Sequence, residues 1–245
     1  MPPTRPSPKS GLLIIDMINE FRFDGAAQLF PAIEQTARRI AGLKRRMKEA
    51  RLPVIYVNDN FGKWQSDFRK LVTRCLEESC RGTQIARILL PEDDDYFVLK
   101  PRHSGFYATP LELLLRYLKL RRIIVTGIAG DNCVLFTAAD AYMREFDVAV
   151  PSDCVISLDA KSNRATIEHM RVTLKADVRP SRKIPLARAA WRFLSGRMRR
   201  VTRERGLHSH VEAEVDDVGF LDDIFFPLQA EQAFLFDLGF RSAGQ

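Results

Sequence analysis

The chain has 245 residues, 46% of them hydrophobic, and a formal net charge of +7. That content supports one sizeable core, with or without an appendage, and excludes a largely disordered polymer. No apolar run approaches the roughly 20 residues of a membrane helix, and the proline-rich residues 1–10 lack the apolar heart of a signal peptide, so a flexible N-terminus, a cytoplasmic location and no membrane partner are expected.

In chain order, "LLIID" (residues 12–16) reads as a buried strand by its apolar character, and residues 30–50 follow as an amphipathic helix with a basic outer face. "PVIYVND" (53–59) and "YFVLK" (96–100) are the next strands. A helix is predicted over 109–120, with Thr109 as N-cap and Pro110 in its first position. "RIIVTG" (122–127) is a fourth strand, 133–146 a helix, 147–153 a fifth strand and 162–178 a closing helix with a short final strand. The alternation predicts an α/β fold, a doubly wound, Rossmann-like, mostly parallel sheet with helices on both faces. It spans residues 11–180 and leaves a C-terminal extension over 181–245. The stretch between Asp59 and Gln84 carries little readable pattern.

In such sheets ligands gather outside the carboxyl ends of the strands. Asp16 ends the first strand, Lys100 ends the third, and Cys133 follows the fourth by a short glycine-containing loop. Singly, each has an ordinary explanation: a turn aspartate, a solvated lysine, a small core cysteine. Together on one rim they form a chemical set. A thiol at a helix N-terminus beside a cation is expected to ionise readily, and a neighbouring carboxylate can shuttle its proton. Cys75, Cys80 and Cys154 lack that context and read as structural. The four cysteines show no paired metal spacing and no disulfide-scaffold density, so free thiols are expected.

Three blocks, "LLIIDMINEF" (12–21), "VLKPRHSGFYATPL" (98–111) and "VTGIAGDNCVLFTAADAYMREFDVAVPSD" (125–153), resemble the isochorismatase-like cysteine hydrolase family, which includes nicotinamidases and N-carbamoylsarcosine amidases. The resemblance implies Cys133 as nucleophile, Asp16 as general base and Lys100 as the cation that orients the pair. It also implies a cis peptide at Ile128–Ala129 and an oxyanion hole formed by the amides of Ala129 and Cys133. A homodimer or homotetramer follows from the same resemblance.

The chain departs from the metal-binding nicotinamidase pattern. In "VNDNFG" (57–62) Asp59 is retained but Phe61 occupies the histidine position, and "EESCRGTQIA" (77–86) holds no histidine. One carboxylate is too few for a stable zinc site, so no metal and no cofactor are expected. Phe21, Phe61 and Trp64 are assigned as apolar walls of the substrate pocket. Arg102 and His103, just past Lys100, read either as a solvated turn or as ligands for a substrate carboxylate.

Residues 179–205 of the extension carry ten lysines and arginines against one acid, Glu204, whereas 210–240 is acidic and rich in phenylalanine. The basic part reads as a solvated face, the aromatic part as a docking arm across an oligomer interface. Nucleic acid is not expected as a partner, because no recognition motif accompanies the charge. His208 and His210 are too few for a metal site. The reading is a metal-independent cysteine hydrolase that cleaves the C–N bond of a small amide or ureido substrate through a thioester. Its alternatives are a vinyl-ether hydrolase and a non-catalytic scaffold acting through the extension.

Overall fold

The computed structural model describes residues 9–60, 67–77 and 79–186. The expectations for residues 1–8, for Phe61 and Trp64, and for the extension beyond residue 186 lie outside these.

Among the described residues six parallel strands form one sheet: β1 (Ser10–Ile15), β2 (Val54–Asp59), β3 (Tyr96–Lys100), β4 (Arg122–Ile128), β5 (Asp147–Ala149) and β6 (Val155–Ile156). The spatial order is β3-β2-β1-β4-β5, with β6 continuing beside β4. The helices are α1 (Ala26–Glu49), α2 (Phe68–Cys75), α3 (Thr83–Ile88), α4 (Leu111–Tyr117), α5 (Leu135–Met143) and α6 (Ala160–Thr173). This is the doubly wound arrangement expected from the alternation of elements.

The central strands are unbroken apolar runs because both faces are covered. Leu12 and Ile14 of β1 join one core with Ile33, Ile40 and Met47 of α1. Leu13 and Ile15 point the other way, into a second core with Leu111, Leu115 and Ala138. Each such aliphatic side chain contributes roughly 1.5–3 kcal/mol by its burial. The winding reverses between β1 and β4, and the carboxyl ends of the strands open a crevice there.

Several local expectations are corrected. α1 begins one turn earlier than read and runs through Pro31, whose missing N–H removes one helical bond, because burial of Ala26 and Ile33 anchors that turn. Pro110, not Thr109, is the N-cap residue of α4, although Thr109 Oγ1 still accepts a hydrogen bond from the Leu111 amide at 3.2 Å. The helix expected from Cys133 starts as a π turn over Gly130–Val134, and α5 proper begins at Leu135. The fifth strand ends at Ala149, and the final strand is a single bridge between Ala149 and Asp177. α2, α3 and β6 are additional elements; the first two are short, α2 lying inside the stretch without readable period and α3 starting at its end.

Candidate active site

Asp16 follows β1 with φ 51°, in the left-handed region that aspartate tolerates better than most residues. Its Oδ1 accepts a hydrogen bond from the Asp59 amide at 2.6 Å, so the end of β2 holds the carboxylate that ends β1. The neighbouring strand makes room for this. Gly127 in β4 has φ 117°, and a Cβ there would sit 2.0 Å from the Ile15 carbonyl oxygen, so only glycine lets the two strands approach beside Asp16.

Lys100 ends β3 and is fully buried. Its Nζ lies 2.9 Å from Asp16 Oδ2, 3.5 Å from Asp59 Oδ2 and 3.5 Å from Cys133 Sγ. One ammonium thus joins three strand ends to the turn after a fourth. Cys133, half-buried, sits in the π turn, where the Asn132 and Val134 amides both donate to the Ala129 carbonyl at 3.1 Å. Such turns recur at functional sites. The Ile128–Ala129 peptide that leads into it is cis, as the resemblance implied.

Two further contacts hold the turn. The buried Thr137 donates to the Cys133 carbonyl at 2.7 Å and accepts from the Gly105 amide at 2.9 Å, tying the Cys133 turn to the loop after Lys100. On the other side the Asp131 amide donates to Ser157 Oγ at 3.1 Å.

The electrostatics revise one expectation. Burial, together with the Asp16 charge, outweighs the pull of Lys100 and pushes the Cys133 thiol up to about 12. The free site therefore holds a thiol and not the readily formed thiolate that the helix end and the lysine had suggested. Any attack by this sulfur would need a base to remove its proton. Burial also raises Asp16 above the usual carboxylate range, against the opposing attraction of Lys100. Burial works against the Lys100 charge too, but the Asp16 and Cys133 contacts hold its ammonium above the ordinary lysine range.

As the expected base Asp16 would act only when ionised, so turnover should be present above its raised pKa and lost as pH falls through it. The acid limb of kcat/KM is expected above the roughly 3.9 of a free aspartate. A pH–rate profile with its acid midpoint at or below that value would contradict the assignment.

Beside these groups lies a cavity of about 240 Å³. Among the described residues its polar lining is Asp16, Asn19 and Asp59, and its apolar lining is Phe23, Ile128, Ala129 and Leu158. Phe21, read as a pocket wall, is fully buried in the core and stands behind Phe23, with ring centroids 6.1 Å apart at 69°. The aromatic wall shifts by two residues because Phe21, at φ 51°, turns inward. Asn19 and Phe23 were not singled out from the sequence; a polar residue and an aromatic within seven positions of a strand-end aspartate is the signal that marks them. Leu158 follows β6, too short to show a period. Arg102 and His103 are exposed and absent from the lining, and the His103 ring stacks on Phe136 at 5.7 Å.

The donor set does not suit a zinc ion. Asp59 is the one residue retained from the metal-binding pattern, and the ammonium 3.5 Å from its carboxylate would repel a dication. Among the described residues no three His, Cys, Asp or Glu side chains gather as a metal site, and no helix is long and apolar enough to cross a membrane.

Comparison with known proteins gives a consistent result. The isochorismatase domain profile matches residues 10–179. The isochorismatase family protein YaaI of Bacillus subtilis is 42% identical over 173 residues, covering 71% of this chain and 94% of that one. Ureidoacrylate amidohydrolase RutB of Methylorubrum extorquens is 30% identical over 186 residues, covering 62% and 73%. Among solved structures, N-carbamoylsarcosine amidase from Thermoplasma acidophilum superposes with a TM-score of 0.56 at 27% identity, over 72% of this chain and 98% of that chain.

Proposed function

The chain belongs to the isochorismatase family of hydrolases, and from that premise we propose that it is a metal-independent cysteine amidohydrolase acting on a small amide or ureido substrate. The observation that carries the reading is the buried ammonium of Lys100, in contact at once with Asp16, Asp59 and Cys133 Sγ. That cluster supplies a nucleophile, a base and a charge to organise them.

In the proposed reaction the substrate carbonyl enters beside Ala129. Cys133 gives its proton to Asp16 as its sulfur attacks the carbonyl carbon, and the amides of Ala129 and Cys133 receive the developing oxyanion. The proton on Asp16 then passes to the leaving nitrogen as the C–N bond breaks, which leaves an acyl-thioester on Cys133. Asp16, ionised again, draws a proton from water; the water oxygen displaces the sulfur, and the proton returns to the thiolate. Lys100 stays charged throughout and keeps Asp16 aligned between its two partners.

The cavity is smaller than the roughly 300–1,000 Å³ of pockets that take drug-sized ligands, which favours a compact substrate. The cysteine favours C–N cleavage over the vinyl-ether alternative, because thioester formation needs an acyl group. The free state of Cys75, Cys80, Cys133 and Cys154 accords with a reducing cytoplasm, and a homodimer or homotetramer remains part of the proposal.

Two measurements test it. Intact-mass spectrometry of rapidly quenched turnover should find an acyl adduct on Cys133; ammonia or amine release without any adduct would defeat the covalent route. Prolonged dialysis against EDTA should leave kcat within about twofold, since no step uses a metal. A loss restored by Zn²⁺ would defeat the metal-independent reading.

A further inference from the structure

We infer that Thr137 is a positioning residue of the reaction, its buried hydroxyl fixing the place of Cys133 against Lys100. The inference rests on the amidohydrolase reading and adds the group that holds its sulfur to its cation.

Lys100 and Cys133 touch at 3.5 Å, yet they follow strands that are not neighbours. In the order β3-β2-β1-β4, ladder hydrogen bonds relate the end of β3 to the turn after β4 through two intervening strands. Thr137 makes a shorter connection. Its Oγ1 donates to the Cys133 carbonyl at 2.7 Å and accepts at 2.9 Å from the amide of Gly105, five positions beyond Lys100. The first bond alone is the ordinary back-bond of a helical threonine to the carbonyl four residues earlier. The second turns it into a cross-link between the two segments. Thr137 is fully buried, so both bonds are made at low dielectric, where leaving either unmade is costly.

The loop after Lys100 is shaped to receive this hydroxyl. A Cβ on Gly105 would lie 3.0 Å from Val57 Cγ1 and 3.1 Å from Leu111 Cδ2, tighter than ordinary contact, so a bare backbone lets the amide press against α5. Further along the helix Asp140 accepts from Ser104 Oγ, and Arg144, which caps α5, donates to Asp140 at 2.8 Å and to Glu112 at 2.9 Å. Thr137, Asp140 and Arg144 are spaced by three and four positions, so they share one face of the helix. Three successive contacts thus clamp the segment after Lys100 to the helix after Cys133, and Thr137 is the one that reaches the Cys133 turn itself. A misplacement of about 1 Å can cost on the order of 10²-fold in rate, so a slackened link should be read in kcat.

The test uses the full chain with Thr137→Val, which removes the hydroxyl, and Thr137→Ser, which keeps it and removes the methyl. Two readouts are taken. One is kcat and KM for ammonia or amine release from pentanamide and butylurea; the other is the effect of Lys100→Met on alkylation of Cys133 by iodoacetamide at pH 9, located by peptide mass spectrometry. Thr137→Val is expected to lower kcat about tenfold or more with KM within about twofold, and Thr137→Ser to keep kcat within about threefold, although both melt earlier. Lys100→Met is expected to change the alkylation rate about fivefold or more beside threonine or serine at 137, and less than about twofold beside valine. A residue that only packs would lower both melting temperatures and leave kcat alone. Parental kcat in Thr137→Val overturns the inference, as does a serine variant as slow as the valine one. A Lys100→Met effect of equal size with and without the hydroxyl, or none at all, overturns it too. Should Thr137→Val not fold, Ser104→Ala, which opens the next contact, takes its place: a loss of kcat of about threefold or more is expected, and parental values of both readouts overturn the inference. No hydrolysis of either probe by the parent chain defeats the amidohydrolase reading, and the alkylation ratios then decide the positioning by themselves.

Discussion

Replacing Cys133 with Ala is expected to lower kcat/KM by on the order of 10⁴-fold or more while leaving the thermal midpoint nearly unchanged. The sulfur is the atom that would form the thioester, and none of the neighbouring groups can substitute for it: Asp16 and Lys100 are held to each other at 2.9 Å. The fold should tolerate the change because Cys133 is only half-buried and its thiol partners Lys100 and Asp16 keep their own contact. Cys133→Ser should be nearly as inactive, since a serine hydroxyl is more weakly acidic than the thiol and asks more of the same base. Activity assays paired with circular-dichroism melts check both variants. Hydrolysis that survives loss of the sulfur would sink the covalent mechanism, whereas a collapsed melt would show that Cys133 is structural.

The second large effect is on stability. Lys100→Met should leave Asp16 and Asp59 facing each other without their shared cation, and breaking a buried ion pair by removing one partner typically costs about 3–5 kcal/mol. Because Asp59 keeps 29% exposure, solvent screening favours the lower end of that range. A loss near 3 kcal/mol lowers the melting temperature of a domain this size by about 6–12 °C, and activity should vanish with it. The diagnostic step is a second substitution. Lys100→Met with Asp59→Asn removes one of the two carboxylates that Lys100 had held, so it should recover part of the stability and none of the activity. Urea titration measures the first and amide hydrolysis the second. A single variant as stable as the parent would mean that the two carboxylates take up protons without penalty and that the lysine's charge does not hold the site together.

The strand-end residues were readable because periodicity is a local property. An unbroken apolar run such as residues 12–15 forms only where both faces of a strand are covered, and a charged residue ending such a run lies at the rim of the sheet. Asp16 and Lys100 end such strands and Cys133 follows one by a short loop, so the sequence alone places all three on one edge. Helix ends were less legible. The start of α1 at Ala26 is set by what that turn packs against, and a proline five residues later argues locally for a later start.

The cavity wall was the least legible part. Phe21 and Phe23 are both aromatic and two residues apart, and no pattern in the sequence says which faces the ligand. A left-handed backbone at Phe21 and edge-on packing against Phe23 and Phe30 decide it. The protonation state of Cys133 escaped for a related reason. A helix end and a lysine are visible in sequence, and both favour the thiolate; burial and the proximity of Asp16 are not visible, and together they win.

The amino-acid order alone thus determined the parallel α/β architecture, the family resemblance and the three groups that meet at the sheet's edge, because apolar period and motif spacing act over short stretches of chain. The close approach of Gly127 to Ile15, the place of Asp59 on the shared ammonium, the choice of Phe23 over Phe21 and the resting thiol depend on distances between segments up to 117 residues apart. Those distances exist only once the sheet has closed and water has left its rim, which is also when charge begins to outweigh sequence pattern in setting the chemistry.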